Sequence, residues 1–425
     1  MDMESLLYAI KKIIPRGLFK TLQPAYHYAF ALLGAILYRF PSRKLIVVAV
    51  TGTKGKTSTI ELINAMLEEA GYTTALSSTL RFKIGGESEN NTYKMTLPGR
   101  FFLQKFLRKA VHAGCQYAIV ELTSEGAKQF RHTFVSLDAL VFTNLTPEHI
   151  ESHGSFENYL AAKLSIAKSL ARSHKKRKIV VANADDAQGE KFLQVNVSEK
   201  YPYSLRDAEP YSVKKTGVEL TIDTTRMTSK LSGEFNVYNI VAAATYAKSQ
   251  GVGVDTIQRA VEKFSGIPGR MERVDEGQDF TVVVDYAHTA DSLEKVYDVF
   301  QHSRNICVLG GTGGGRDKWK RPEMGAVASQ HCSHIILTNE DPYDEDPLQI
   351  ILEIAQGITR PIHETILDRR EAIRAALKLA RTGDTVLITG KGTDPYIMGP
   401  NNTKLPWSDA KVAREELKNL TQTIS

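Results

Sequence analysis

The chain has 425 residues, 42% of them hydrophobic and 24% charged, and 54 Lys and Arg against 48 Asp and Glu leave a net charge of +6. At roughly 150 residues per domain there is room for two or three cores, and this composition excludes collagen, coiled coil, extended disorder and a polytopic membrane protein. The mild positive excess suits an anionic substrate and makes no case for nucleic acid, because no basic stripe with interleaved aromatics occurs.

Residues 1–43 stand apart. Lys11, Lys12, Arg16 and Lys20 precede an apolar stretch at 25–38, and Arg39, Arg43 and Lys44 follow it. The stretch is shorter than the roughly 20 residues of a bilayer span. It contains His27 and no small-residue cleavage site follows, which argues against a cleaved signal peptide. Two readings stand: a helical hairpin packed on the next domain and broken near Pro24 and Pro41, or a basic, aromatic-rich interfacial helix on the inner membrane face of a cytoplasmic protein.

Residues 45–50 (LIVVAV) are apolar and rich in β-branched side chains, the pattern of a central strand buried on both faces. Gly52, Thr53, Lys54, Gly55, Lys56, Thr57 and Ser58 come next, then a helical pattern through Leu62, Ala65, Met66 and Leu67. Strand, glycine loop and helix make a phosphate cradle. Glycines let backbone N–H groups approach the phosphates, and the helix N-terminus adds positive potential. Lys56 would neutralise β- and γ-phosphates of ATP, and the Thr57 hydroxyl would reach Mg2+. The general pattern GxxxxGK[ST] asks for glycine where Val50 stands, so the loop is the shorter GTxGKT form.

Strand-like runs recur at residues 117–122, 139–145 and 178–184, with helical patterns at 101–113 and 156–170. This predicts a parallel sheet with crossover helices, whose ligands lie at the carboxyl ends of the strands. Glu121, Asn144 and His149 fall at or just beyond such ends. An acid closing an apolar strand is a usual Mg2+ ligand, though Glu121 alone is as readily a helix cap and His149 alone a loop histidine. The run at 174–178 (HKKRK) reads as a solvated approach to a strand.

Pro268-Gly269-Arg270 looks like a hinge. Beyond it, strand patterns at 281–285, 306–309, 335–338 and 385–389, with a helix at 370–380, predict a smaller Rossmann-like domain. The glycine-rich residues 310–315 read by themselves as a flexible loop. The expected domains are a helical segment at 1–43, an ATP-binding domain at 44–267 and a C-terminal domain at 268–425, an α/β fold throughout. The three cysteines, Cys115, Cys307 and Cys332, are far apart with no CxxC pair, which speaks against a disulfide framework and for a reducing cytoplasm.

Taken together, VTGTKGKTST, ELTSEGAKQFR, VFTNLTPEHIESHG, NYLAAK, GEFNVYN, PGRMERV, DYAHT, GGTGGGRDKWKRPEMG and GKGTD resemble the Mur ligase family over about residues 45–410. These are ATP-dependent amino-acid ligases of peptidoglycan synthesis, and DYAHT with GRDKxKRPxMG points to the MurE-type branch, which adds the third stem-peptide residue. The resemblance implies that Lys56 binds ATP phosphates, that Thr57, Glu121 and His149 hold Mg2+, and that Lys163 is carbamylated to help hold a second ion. It implies nucleotide contacts for Asn236, Asn239, Arg270, Asp285 and His288. Ser124, Gln129 and Arg131 would bind the muramoyl-peptide acceptor, and Arg316 and Asp394 the free amino acid. The loop ending in Arg316 would close over an acyl phosphate as the domains shut.

Three departures matter. Only about 43 residues precede the first strand, where MurE-type enzymes carry a UDP-gripping domain, so a lipid-linked acceptor becomes an alternative to a UDP-linked one. The DNPR of diaminopimelate-adding enzymes is replaced by Glu340-Asp341-Pro342-Tyr343, with Asp344, Glu345 and Asp346 beside it, favouring an amino acid with a distal cation such as lysine. GKGHE has become Gly390-Lys391-Gly392-Thr393-Asp394. Two further readings remain: a folylpolyglutamate-synthase-like ligase, and a non-catalytic nucleotide-binding subunit of a wall-synthesis complex.

Overall fold

The computed structural model describes residues 16–93, 95–99, 101–148, 153–315, 318–359 and 363–424. They divide into two compact units: one holds the described residues up to Asp207 together with Tyr238–Ala260, the other Ala208–Val237 together with those from Val261 onward. Residues 208–237 thus group with the second unit, although they precede the sequence boundary at 267/268.

The first unit opens with helix α1 (Arg16–Leu37), which runs through Pro24 rather than breaking there. A proline inside a helix removes one backbone hydrogen bond. Here the helix continues because the turns beyond it bury His27, Ala31 and Ala35. It ends where Arg39 and Phe40 take left-handed backbone angles, just before a 3-10 turn begins at Pro41.

The main sheet comprises β1 (Ile46–Thr51), β2 (Thr74–Ser77), β3 (Arg81–Ile84), β4 (Glu87–Asn90), β5 (Tyr117–Glu121), β6 (Ala139–Phe142), β7 (Ile179–Asn183) and β8 (Glu199–Tyr203), in the order β4-β3-β2-β5-β1-β6-β7-β8. β2, β5, β1, β6, β7 and β8 are parallel, and β3 and β4 add an antiparallel edge. Val47–Val50 are fully buried because helices cover both sheet faces. Those helices include α2 (Lys56–Glu69), α3 (Phe102–His112), α4 (Ser124–Lys128), α5 (Phe156–Ala171) and α6 (Gly189–Leu193). The chain leaves β1 towards β2 on one side and later returns to β6 on the other. The carboxyl end of β1 is therefore the switch point where a ligand crevice is expected.

A small antiparallel sheet, β9 (Ser212–Lys214), β10 (Gly217–Ile222) and β11 (Thr225–Ser229), precedes helices α7 (Glu234–Ser249) and α8 (Val254–Lys263). In the second unit β12 (Glu272–Arg273), β13 (Thr281–Asp285), β14 (Asn305–Leu309), β15 (His334–Leu337), β16 (His363–Thr365) and β17 (Thr385–Thr389) are ordered β12-β13-β17-β14-β15-β16. All but β12 are parallel. Helices α9 (Ala290–Asp298), α10 (Lys320–His331), α11 (Pro347–Ala355), α12 (Arg369–Leu379) and α13 (Asp409–Ile424) complete it. Cys307 and Cys332 form a disulfide inside this core, against the expectation from their spacing. The segment between them contains α10, which carries the chain back beside β14 at the start of β15.

One buried charge pair ties the second unit together. Arg369 and Asp409 are 1% and 0% exposed and share bonds of 2.8 and 2.7 Å. Arg369 also donates to the Thr389 carbonyl, and the Trp407 indole donates to Asp409. Removing one partner strands the other charge in the core. Asp409→Ala should cost about 3–5 kcal/mol, read as a lowered denaturation midpoint. Replacing both with apolar residues of similar volume should recover most of that loss.

Candidate active site

Gly52 and Gly55 explain why glycine is needed in the phosphate loop. Gly52 has φ +155°, and a Cβ there would sit 1.9 Å from the Thr143 hydroxyl oxygen. Gly55 has φ +77°, and its Cβ would meet the Asn239 side-chain oxygen at 2.3 Å. The loop is clamped by the residues after β6. The Thr53 N–H donates to the Asn144 carbonyl at 2.8 Å, and the Lys54 N–H to Asn144 Oδ1 at 2.9 Å. Thr143 Oγ1 donates to the Lys54 carbonyl at 2.7 Å, while Thr53 Oγ1 lies 3.0 Å from the Tyr159 hydroxyl. Ser58 is buried in the first turn of α2.

Lys56 Nζ donates to the Thr53 carbonyl at 2.9 Å and stands 4.0 Å from Glu121 Oε1. Glu121, 2% exposed at the end of β5, accepts from the Thr57 hydroxyl at 3.1 Å and from the Thr79 N–H and hydroxyl. Asn239 is close enough to accept from Thr59 at 3.4 Å. Lys163, on α5, is wholly buried and donates to the Gly52 carbonyl at 2.6 Å, with its ammonium over the Tyr159 ring. Burial holds its pKa well below the ordinary lysine value, and repulsion from Lys56 adds to that; Glu148 and Glu121 oppose it.

Ser124 begins α4 and is buried, its hydroxyl 3.1 Å from Nε2 of His153. The His153 ring also lies 3.2 Å from Glu125 Oε1, and burial pushes its pKa down despite that carboxylate. Gln129 Oε1 accepts from Arg131, whose guanidinium also reaches the Leu97 carbonyl. His149 and Arg316 lie outside the described residues. Among the described residues no group of three or more His, Cys, Asp and Glu gathers to hold a metal.

The second unit brings three motifs together. Gly269 and Gly392 abut: a Cβ on Gly269 would be 2.2 Å from the Gly392 carbonyl carbon, and one on Gly392 would be 2.7 Å from Tyr286. Arg270 stacks its guanidinium 4.3 Å from the Tyr286 ring centroid. Asp285 accepts N–H bonds from Met271 and Ala287 at 2.7 Å each. Burial raises its pKa, while Arg270 and those two N–H groups pull the other way. His288 bonds the Tyr286 carbonyl at 2.8 Å. Asp394 sits 3.4 Å from Lys391 Nζ, which also binds Asp341 at 2.8 Å. Asn236 donates to the Ser232 carbonyl at 2.7 Å.

The acids after β15 are not equivalent. Asp344 accepts from the Asn401 N–H, Glu345 pairs with Lys318 and Arg321, and Asp346 caps α11. Glu340 is different: one oxygen accepts from Thr312 at 3.0 Å, the other is buried without a hydrogen-bond partner. Burial raises its pKa to about 7, against the pull of Lys391 and Arg369. A carboxyl group with a raised folded pKa binds its proton more tightly in the native state. Its contribution is thus favourable at low pH and lost as pH rises from its unfolded value, about 4.5, through 7. Glu340→Gln should flatten the decline of melting temperature between pH 5 and 8, removing about 2–3 kcal/mol of pH dependence.

Sequence reading missed several of these residues. Thr143 directly follows β6 at the ligand end of the sheet, and that position was signal enough. Tyr159 lies four residues before Lys163, so the two share a helix face. Glu148, paired with Lys54 at 3.4 Å, carried no such cue.

The Mur ligase middle domain matches residues 50–247, and the Mur ligase glutamate ligase domain matches residues 269–392. A UDP-N-acetylmuramoyl-L-alanyl-D-glutamate–2,6-diaminopimelate ligase of Syntrophomonas wolfei is 37% identical over 405 residues, 92% of this chain and 82% of that relative. The chain belongs to the Mur ligase family. A UDP-N-acetylmuramyl-tripeptide synthetase of Roseiflexus is 38% identical to this Mur ligase, over 92% of the chain and 82% of the relative. A solved UDP-N-acetylmuramoyl-L-alanyl-D-glutamate–2,6-diaminopimelate ligase superposes with a TM-score of 0.64 at 28% identity, over 92% of this Mur ligase and 83% of that chain. The ADP complex of Mycobacterium tuberculosis folylpolyglutamate synthase gives 0.70 at 17% identity, over 85% and 91%, which shows a shared fold. Mixed α/β architecture with a parallel central sheet and a second sheet unit is thus common to this Mur ligase and its structural neighbours.

Proposed function

We propose that this Mur ligase is a MurE-type, ADP-forming ligase that joins an amino acid of lysine or diaminopimelate type to a muramoyl-dipeptide acceptor in peptidoglycan precursor synthesis. The observation that carries the reading is the phosphate loop, with Lys56, Thr57 and Glu121 within bonding reach of one another and Lys163 buried against Gly52. The 37% identity to a diaminopimelate ligase over nearly the whole chain supports the reaction class.

A carboxylate is a poor acylating agent. The acceptor carboxylate oxygen attacks the γ-phosphorus of ATP and ADP leaves, giving an acyl phosphate. The amino group then adds to the carbonyl carbon, and the tetrahedral species expels phosphate as the amide forms and the nitrogen loses its proton. Charge on the transferring oxygens calls for cations in fixed positions. Lys56 provides one, and Arg270, held on Tyr286, is assigned to the ATP phosphates. Asn239, Asp285, His288 and Asn236 are assigned to the nucleotide. Ser124, Gln129 and Arg131 are assigned to the acceptor, and Arg316 and Asp394 to the amino acid.

Mg2+ fits the oxygens of Thr57 and Glu121, a hard donor pair 3.1 Å apart. When bound it would neutralise phosphate charge. A second ion is assigned to His149 and to Lys163 in carbamate form. Burial favours the neutral amine, whose nitrogen can bond the carbon of CO2 and release a proton, leaving an oxygen anion. The enzyme is placed in the cytoplasm, with residues 1–43 in peripheral contact with the inner membrane face.

The test is ADP release in the presence of UDP- or lipid-linked muramoyl dipeptides, crossed with lysine, diaminopimelate and ornithine. Turnover that requires both an acceptor and an amino acid upholds the ligase. Nucleotide binding without turnover on any pair would make the chain a binding subunit instead.

A further inference from the structure

Over residues 23–37, helix α1 packs on the first unit through one face. His27, Ala31 and Ala35 are buried, and Gly34 lies so near Phe101 that a Cβ would come within 2.8 Å of its ring. Phe30 packs on Phe101, and Tyr28 reaches Phe130 and Phe134. The opposite face is open. Leu33, Ile36 and Leu37 are 53%, 55% and 63% exposed, and Ala25 and Ala29 are exposed beside them. Positions 25, 29, 33 and 36 advance by three or four residues, so they form one apolar stripe.

The charges around this stripe have one sign. Arg39, Arg43 and Lys44 are exposed just past its end. Between residues 5 and 44 there are seven Lys and Arg, and no Asp or Glu occurs from residue 5 to residue 60. A second copy docked on this face would set cations against cations. A neutral apolar surface would bury the stripe and leave the cations unanswered. An anionic bilayer answers both, taking the stripe among its acyl chains and the cations among its phosphates. No described helix is long and apolar enough to cross a membrane, so the geometry is that of a helix lying on the surface.

We propose that α1 lies in the interface of an anionic lipid bilayer, with Leu33, Ile36 and Leu37 inserted and Arg39, Arg43 and Lys44 on headgroup phosphates. This deepens the membrane contact in the preceding reading and rests on it. The experiment is co-sedimentation of the full chain with phosphatidylcholine vesicles, with and without phosphatidylglycerol. Binding should require phosphatidylglycerol and weaken with salt. It should fall at least about tenfold in L33Q/I36Q/L37Q and, separately, in R43Q/K44Q. Both variants should melt like the parent and turn over a soluble acceptor at the parent's rate, since all five side chains are exposed. Equal binding to the two vesicle types, no binding, or undiminished binding by the apolar variant overturns the proposal. So does a lipid-free dimer that the apolar variant dissolves. Failure to bind vesicles with ligase turnover intact removes this inference alone. Vesicle binding without turnover on any substrate pair removes the ligase reading alone.

Discussion

Lys56→Ala should lower the rate of acyl-phosphate formation by roughly a thousandfold, the scale expected when a preorganised charge at a phosphoryl transfer site is deleted. The side chain is 15% exposed, bonds the Thr53 carbonyl and lies 4.0 Å from Glu121, and its removal should move the melting temperature by only a few degrees. The effect has a second component. After burial, repulsion from Lys56 is a further cause of the lowered Lys163 pKa. Deleting it lets Lys163 hold its proton more firmly, which works against carbamylation. Trapping the acyl phosphate with hydroxylamine measures the first step directly. Near-normal trapping by Lys56→Ala would overturn the assignment of the loop.

The second large effect concerns Lys163. Lys163→Ala should lose on the order of a hundredfold or more in turnover, and a short-chain carboxylic acid such as acetate or propionate should restore part of it by placing an oxygen anion in the vacated space. Only a neutral amine can take up CO2, so parent activity should fall as pH drops through the depressed Lys163 pKa, and added bicarbonate should offset the fall. The sign follows from the direction of the shift: burial lowers the pKa, so acid returns the proton. No rescue by any short acid, with metal affinity unchanged, would refute a carbamate at this position.

Much of this was legible in the sequence, for definite physical reasons. β1 and β17 are runs of β-branched residues buried on both faces, so they differ from helix and loop in every window. The GKT loop, bounded by a strand and a helix, announces its geometry through glycine alone. The short strands β2 to β4 were not legible: each has only four residues, and ESEN in β4 is wholly exposed and carries no apolar alternation. Nor was the disulfide, because distance along the chain says little about two residues flanking a crossover helix. Pro24 misled in the other direction: tertiary packing at Ala31 and Ala35 outweighed one missing hydrogen bond. The acids after β15 looked interchangeable as a string, and only their partners separate Glu340 from Asp344, Glu345 and Asp346.

The touching backbones at Gly269 and Gly392 bear on any attempt to change which amino acid is accepted. The loop after Gly392 carries Asp394, and the turn after Gly269 carries Arg270, so the close approach of these two glycines sets the spacing of the two motifs, to which the proposed reading assigns the amino acid and the nucleotide. A specificity graft that imported a bulkier residue at either glycine would wedge the turns apart and misplace the arginine as well. Libraries aimed at new amino acids should hold both glycines constant and vary Thr393, Asp394 and Tyr343 around them.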